Sequence, residues 1–203
     1  MKKAVFLDRD GTLIKDPGYL DKFEQIELYK NAGKALKLLK KAGYILIVLT
    51  NQSGIARGYY NEEFVRETHK KIDGMLAGNG IKPDEYYYCP HHIKGVIKKY
   101  SVKCGCRKPG PGMALKAKKK YGLDLKRSFV IGDKLTDIEM AGRINAGSVL
   151  VLTGNGKKER KKAAKKAKPD IITSDIYTAA KKIARLTEKK ISGNAKTTGR
   201  RKK

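Results

Sequence analysis

Residues 4–12 read Ala-Val-Phe-Leu-Asp-Arg-Asp-Gly-Thr. Asp8 and Asp10 stand two positions apart at the end of a short apolar run, so on a strand they share a face. Two carboxylates at one point need a cation or a shared proton. Open α/β sheets collect their ligands beyond the carboxyl ends of the strands, and an acid pair there suits phosphate chemistry. A polar Asp-Gly turn that merely ends a strand would carry the same letters, so the rest of the chain has to decide.

Two more polar clusters follow apolar runs: Thr50-Asn51-Gln52-Ser53-Gly54 and Gly132-Asp133-Lys134. With a phosphate monoester at a shared edge, the residue types divide the labour. Asp8 attacks phosphorus and forms an aspartyl phosphate. A Mg²⁺ held by Asp8, Asp133 and the backbone carbonyl of Asp10 counters the repulsion between carboxylate and phosphate. Thr50 and Asn51 donate hydrogen bonds to phosphoryl oxygens, and Lys108, preceded by Arg107, neutralises charge in the transition state. Asp10 protonates the leaving oxygen and later takes a proton from water. The neighbouring Asp8 is expected to raise the pKa of Asp10.

Strand-like runs at Ala4–Asp8, Tyr44–Thr50, Glu85–Cys89, Ser128–Asp133, Ser148–Leu152 and Asp170–Thr173 must position these groups. Helical periodicity fills the gaps near Ala32–Ala42, Glu62–Ala77, Gly112–Tyr121, Asp137–Asn145, Lys157–Lys168 and Asp175–Leu186. This alternation predicts βαβ units and an α/β fold with a central, mostly parallel sheet. The connections after the first two strands are too short for a large cap domain. Periodicity fades beyond about Glu188, which predicts a domain over 1–187 and a basic, mobile tail over 188–203.

The chain has 203 residues, with 47 Lys+Arg against 20 Asp+Glu and a net charge of +27. The excess concentrates in Lys157–Lys168 (KKERKKAAKKAK) and in the last residues. Neither stretch interleaves aromatics, so bases would find no stacking platform there, and a solvated helix plus tail is the expected reading. The longest apolar run falls far short of the ~20 residues that a membrane-spanning helix needs. The N-terminus enters the first strand without a signal-like apolar region, and the expected compartment is the cytoplasm.

All three cysteines fall at 89, 104 and 106, with His91 and His92 beside the first. Three thiolates and one imidazole make a closed tetrahedral zinc site, which suits a structural role. Either histidine has the reach. A disulfide plus a free thiol is the alternative, disfavoured in a reducing compartment. His69 lies in a polar helical stretch and is expected at the surface.

DRDGT at 8–12, TNQSG at 50–54, CRKPGPGM at 106–113 and GDKLTD at 132–137 resemble, in order, the four motifs of the haloacid dehalogenase-like phosphatases. TNQSGIARG at 50–58 and the segment CPHH…CGCRKP resemble the branch acting on D-glycero-D-manno-heptose 1,7-bisphosphate. The resemblance runs from residue 4 to about 186. It implies a three-layer Rossmann-like, capless fold with a small zinc-binding loop insert at 89–106. It implies Asp8 as nucleophile, Asp10 as general acid/base, and Thr50 with Lys108 as phosphoryl stabilisers. It implies Asp8, Asp10 and Asp133 as Mg²⁺ ligands, and Cys89, His91, Cys104 and Cys106 as Zn²⁺ ligands. Asp16, Pro17, Gly18, Tyr19, Asn51, Gln52, Ser53, Arg107 and Lys134 would recognise substrate. The implied reaction is hydrolysis of the 7-phosphate in nucleotide-activated heptose biosynthesis, with a small-molecule sugar bisphosphate as partner and a monomer as the default state. Histidinol-phosphate phosphatase and a 3′-phosphatase of nucleic-acid ends are the alternatives.

Overall fold

The computed structural model describes residues 1–198, and side chains for all of these except 163–166 and 190–198. Six strands, β1 (Lys3–Leu7), β2 (Tyr44–Asn51), β3 (Glu85–Cys89), β4 (Phe129–Gly132), β5 (Gly147–Val151) and β6 (Ile171–Thr173), form one sheet in the order β3-β2-β1-β4-β5-β6. Every neighbouring pair is parallel. The helices are α1 (Ala32–Lys41), α2 (Glu62–Ala77), α3 (Gly112–Tyr121), α4 (Leu135–Arg143), α5 (Gly156–Lys166) and α6 (Ile176–Thr198).

Alternate residues of β1 serve opposite faces, which makes the three layers. Val5 and Leu7 pack with Leu36 and Leu39 of α1, Ile72 of α2 and Ile183 of α6. Ala4 and Phe6 pack with Met113 and Ala117 of α3 and Met140 of α4. All four β1 side chains are fully buried, as a central parallel strand covered on both faces requires. The chain winds from β1 outward through β2 to β3, then returns to β4 on the other side. The strand order therefore reverses between β1 and β4, and a crevice opens at their carboxyl ends.

Most boundaries lie within one or two residues of those expected. Three features differ. Helix α4 begins at Leu135 rather than Asp137, because the Asp137 carboxylate accepts from the Lys134 main-chain N–H at 3.2 Å and so caps the first turn. Helix α6 runs to Thr198, past the boundary expected at 187/188. Extending an existing helix adds one hydrogen bond per residue without a new nucleation cost, so lost amphipathicity need not end it. Residues 199–203 of the expected tail lie outside the described residues. His69 is not at the surface: it is 7% exposed and stacks on Tyr86 of β3, with ring centroids 4.3 Å apart. Among the described residues no helix is long and apolar enough to cross a membrane.

Candidate active site

Asp8 follows β1, Asp133 follows β4, and Asp137 opens α4, so three carboxylates converge on the crevice. One oxygen from each lies within 4.8 Å of the others, and all three residues are buried. Asp133 is fully enclosed. Its Oδ2 accepts the Asn155 main-chain N–H at 2.7 Å, while its Oδ1 has no partner. Gly11 makes the approach possible. It takes φ +88°, and a Cβ there would collide with the Asp133 carboxylate. Burial, reinforced by Asp8, pushes Asp133 up to about 8. Burial also lifts Asp137, to about 6, against the pull of Lys108. An orphaned oxygen in an acid cluster this dry fits a hard divalent cation.

Lys108 reaches the same point from the loop before α3. Its Nζ lies 2.6 Å from Asp8 Oδ1 and 2.7 Å from Asp137 Oδ1, and it donates to the Leu49 carbonyl at 2.7 Å. Burial alone would depress the ammonium, but Asp137 and Asp8 hold its pKa above the ordinary value. Asn51 fixes this loop with its whole amide: Nδ2 donates to the Lys108 carbonyl at 3.1 Å, and Oδ1 accepts the Lys108 N–H at 3.0 Å. Asn51 is expected to serve phosphoryl oxygens; its amide also places Lys108, and one N–H of Nδ2 is left over on the cleft side.

Asp10 is arranged differently from the sequence expectation. Its carboxylate is not part of the acid cluster, where Asp137 takes the third place. It is gripped by Arg9, with Nε donating to Oδ1 at 2.9 Å and Nη2 to Oδ2 at 3.1 Å. Gln52 Nε2 donates to Oδ2 at 2.9 Å, and Thr50 Oγ1 lies 3.3 Å from it. Burial would raise this pKa, but the Arg9 guanidinium, Lys134 and the Gln52 bond carry it below the usual carboxylate value. The expected upward shift from Asp8 is therefore corrected: the dominant charge beside Asp10 is positive. Arg9, 2% exposed, went unnoticed as a site residue although it stands between the two acids.

A cleft of about 440 Å³ opens over these groups. Asp16, Gly18 and Tyr19 line one wall, Asn51, Gln52 and Ser53 a second, and Arg107, Lys108 and Lys134 a third, with Arg9, Asp10 and Tyr60 also facing in. Pro17 belongs to the first loop but does not line the cleft. Lys134 Nζ donates to Asp16 Oδ2 at 3.0 Å, tying that loop to the start of α4. Burial opposes the charge on Lys134, but Asp8, Asp133 and Asp16 raise its pKa. Asp137 and Arg9 are the residues that sequence reasoning missed. Asp137 had a legible signal, the second acid of GDKLTD.

The cysteine segment closes beside Arg107. Cys89, His91, Cys104 and Cys106 form a four-ligand cluster. Sulfur–sulfur separations are 3.1 Å (Cys106–Cys89), 3.3 Å (Cys106–Cys104) and 3.6 Å (Cys89–Cys104), and His91 Nδ1 lies 3.3 Å from Cys106 Sγ. All three cysteines are free thiols, so no disulfide forms. These spacings approach the edges of a tetrahedron around one zinc ion. His92 is not in the cluster; its ring accepts the Lys94 N–H at 3.1 Å. Arg107 Nη1 reaches the His91 carbonyl at 3.4 Å, linking the cluster to the cleft wall.

A parallel sheet with acids at its switch point and a buried lysine between two of them defines a haloacid dehalogenase-like hydrolase. The HAD-hydrolase-like family profile matches residues 105–179. The D-glycero-beta-D-manno-heptose-1,7-bisphosphate 7-phosphatase of Pasteurella multocida (strain Pm70) is 45% identical over 166 residues, covering 78% of this chain and 89% of the relative. The enzyme of that name from Escherichia coli (strain K12) is 43% identical over 152 residues, covering 74% and 80%. Among solved structures, the D,D-heptose 1,7-bisphosphate phosphatase from B. bronchiseptica, complexed with magnesium and phosphate, superposes with a TM-score of 0.81 at 28% identity, covering 91% of this chain and 99% of that one. The chain belongs to the family of these relatives within the haloacid dehalogenase-like hydrolases, and it is a phosphatase.

Proposed function

We propose that the protein hydrolyses the 7-phosphate of D-glycero-β-D-manno-heptose 1,7-bisphosphate, leaving heptose 1-phosphate for conversion to nucleotide-activated heptose. The observation that carries this reading is the joint match of whole-domain sequence to relatives of that name and of the acid–lysine geometry at the switch point.

Asp8 acts as the nucleophile. Its carboxylate oxygen attacks phosphorus as the bond to the sugar oxygen breaks, giving an aspartyl phosphate. Asp10 gives its proton to the departing sugar oxygen, then takes one from the water that hydrolyses the intermediate. Arg9 favours the ionised form of Asp10; a phosphate dianion entering nearby opposes that effect and favours the protonated form. Lys108 stays charged and faces the transferring group, and Thr50 supplies a hydroxyl at its side. Asp8, Asp133, Asp137 and the main-chain carbonyl of Asp10 would hold Mg²⁺. When bound, that ion screens carboxylate from phosphate and polarises the phosphoryl oxygens. Zinc at the cysteine cluster would pin the loop that carries Arg107, without entering the chemistry.

Arg107, Lys134 and the loop of Asp16–Tyr19 form a polar cleft with a cationic surplus, which suits a substrate bearing a second phosphate. Comparing kcat/KM across substrates tests the reading. The β-anomer of the heptose bisphosphate should exceed histidinol phosphate and a 3′-phosphoryl oligonucleotide by at least ~100-fold, a preference several polar contacts can supply. Equal values would reject it.

A further inference from the structure

At the end of the sheet away from the acid cluster, the first residues of the strands and a late turn of α6 surround a second hollow of about 740 Å³, a size that suits a small molecule. Its floor is aromatic. Phe129 opens β4 and meets Tyr44, which opens β2, edge-on with ring centroids 6.2 Å apart. Phe129 can lie there because residue 147, at the start of β5, is glycine: a Cβ would collide with the ring. The Tyr44 hydroxyl bonds Thr187 Oγ1 at 2.8 Å, which fixes α6 over this end of the sheet. Leu186, 38% exposed, stands at the lip.

The rim is cationic. Lys3, Lys126 and Arg127 line it against one acid, Asp170. Asp170 is turned to Ser148: its Oδ2 accepts the main-chain N–H and the hydroxyl of that residue, both at 2.8 Å. Lys3 Nζ lies over the Tyr44 ring, 4.1 Å from its centroid. Among the described residues no carboxylate forms an ion pair with any of the three cations. Burial, and then repulsion from Arg127, hold the Lys3 ammonium below its ordinary pKa. A partly buried ammonium beside a guanidinium, with no counter-ion, is an arrangement that an anion relieves. The end of α6 supplies none: past Glu188 every charged side chain in the sequence is basic.

We propose that this hollow binds a small aromatic anion, a planar ring carrying a carboxylate, sulfonate or phosphate. The ring lies against Phe129 and Leu186, where an aromatic surface offers a large apolar contact. The charged group sits between Lys3 and Arg127, whose guanidinium offers paired N–H donors, with Lys126 beside them. The site is separate from the catalytic cleft. Strand β1 begins at the hollow with Lys3, and Asp8 lies at its other end, ~17 Å away along an extended chain.

Anilinonaphthalene sulfonate, a fluorescent aryl sulfonate, tests this on the full-length folded protein. Titration should show saturable binding at one site per chain. Phenylnaphthylamine, which lacks the sulfonate, should bind at least about tenfold more weakly. Arg127→Glu reverses one rim charge and Leu186→Glu places an anion at the lip; each should weaken sulfonate binding about tenfold or more. Both positions are exposed, so circular dichroism and turnover of 4-nitrophenyl phosphate should match the parent, and Lys126→Glu stands in for either variant that does not fold. Mg²⁺ with saturating inorganic phosphate should shift the affinity less than about twofold, because the two sites are apart. Absence of saturable binding, equal affinity for the uncharged dye, displacement by phosphate, or indifference to the charge substitutions would each overturn the proposal.

Discussion

Lys108 Nζ lies 2.6 Å from Asp8 Oδ1, with both side chains buried. In the proposed mechanism the pair joins the group that attacks to the charge that steadies the attack. It also keeps Asp8 and Asp137 from standing together as uncompensated buried anions. Lys108→Met should therefore do two things. Turnover should fall at least ~100-fold, the usual scale for losing a charge-stabilising donor. The metal-free protein should lose about 3–5 kcal/mol of stability, as when one partner of a buried ion pair is removed. Mg²⁺ should restore much of the second loss and none of the first. Denaturant melts with and without Mg²⁺, set beside kcat, check this; a variant whose stability ignores Mg²⁺ would contradict the shared acid cluster.

Asp8→Asn removes the proposed nucleophile and one anion of the cluster while keeping the shape of the side chain. Turnover should fall by at least ~1,000-fold, since no other group stands ready to attack. The variant should still fold, as shown by an unchanged circular dichroism spectrum. Appreciable residual turnover would refute the covalent route. Asp137→Asn makes a contrasting case. It should weaken Mg²⁺ binding tenfold or more by calorimetry, because Asp137 and not the Asp10 carboxylate completes the acid cluster.

Much of this was readable in the chain. The apolar runs before Asp8, Thr50 and Asp133 are unbroken because central parallel strands are buried on both faces, and their order alone puts three polar clusters at one sheet edge. What could not be read was the direction of each side chain. Asp10 shares a strand end with Asp8, yet Arg9 folds back and turns it toward Gln52 and Thr50. Spacing carries no information about that choice, because it depends on a guanidinium finding its partner in a dry interior. Asp137 was visible as the second acid of GDKLTD, but its place in the cluster depends on a helix start two residues earlier than the periodicity suggested. His69 was misjudged because its neighbours in sequence are polar, while α2 turns that one face onto Tyr86.

The cysteine cluster separates stability from chemistry. None of its four residues lines the cleft, and its link to the site passes through Arg107 and the His91 carbonyl. Cys104→Ser should lower bound zinc from about one ion per chain to a small fraction, because three remaining ligands hold the ion poorly. It should cost several degrees of melting temperature, and kcat at low temperature should fall less than KM rises. Metal analysis by mass spectrometry and thermal melts check it. A fully stable zinc-free variant would show that the four residues do not form a structural metal site.

His69 gives the acid side of the stability profile a specific origin. Burial, aided by Arg9, pushes its pKa down to about 3, and its Nε2 has no hydrogen-bond partner. In the unfolded chain a histidine titrates near 6.5. Above that value the ring is neutral in both states and contributes no pH dependence. Between about 6.5 and 3 the unfolded chain binds a proton that the folded one refuses, so stability falls as pH falls. The loss from this one group between pH 7 and pH 5 is about 2 kcal/mol. His69→Phe keeps a ring against Tyr86 and removes the titration. Urea melts across that range should show the variant losing about 2 kcal/mol less than the parent; parallel profiles would mean that the imidazole is protonated within the fold.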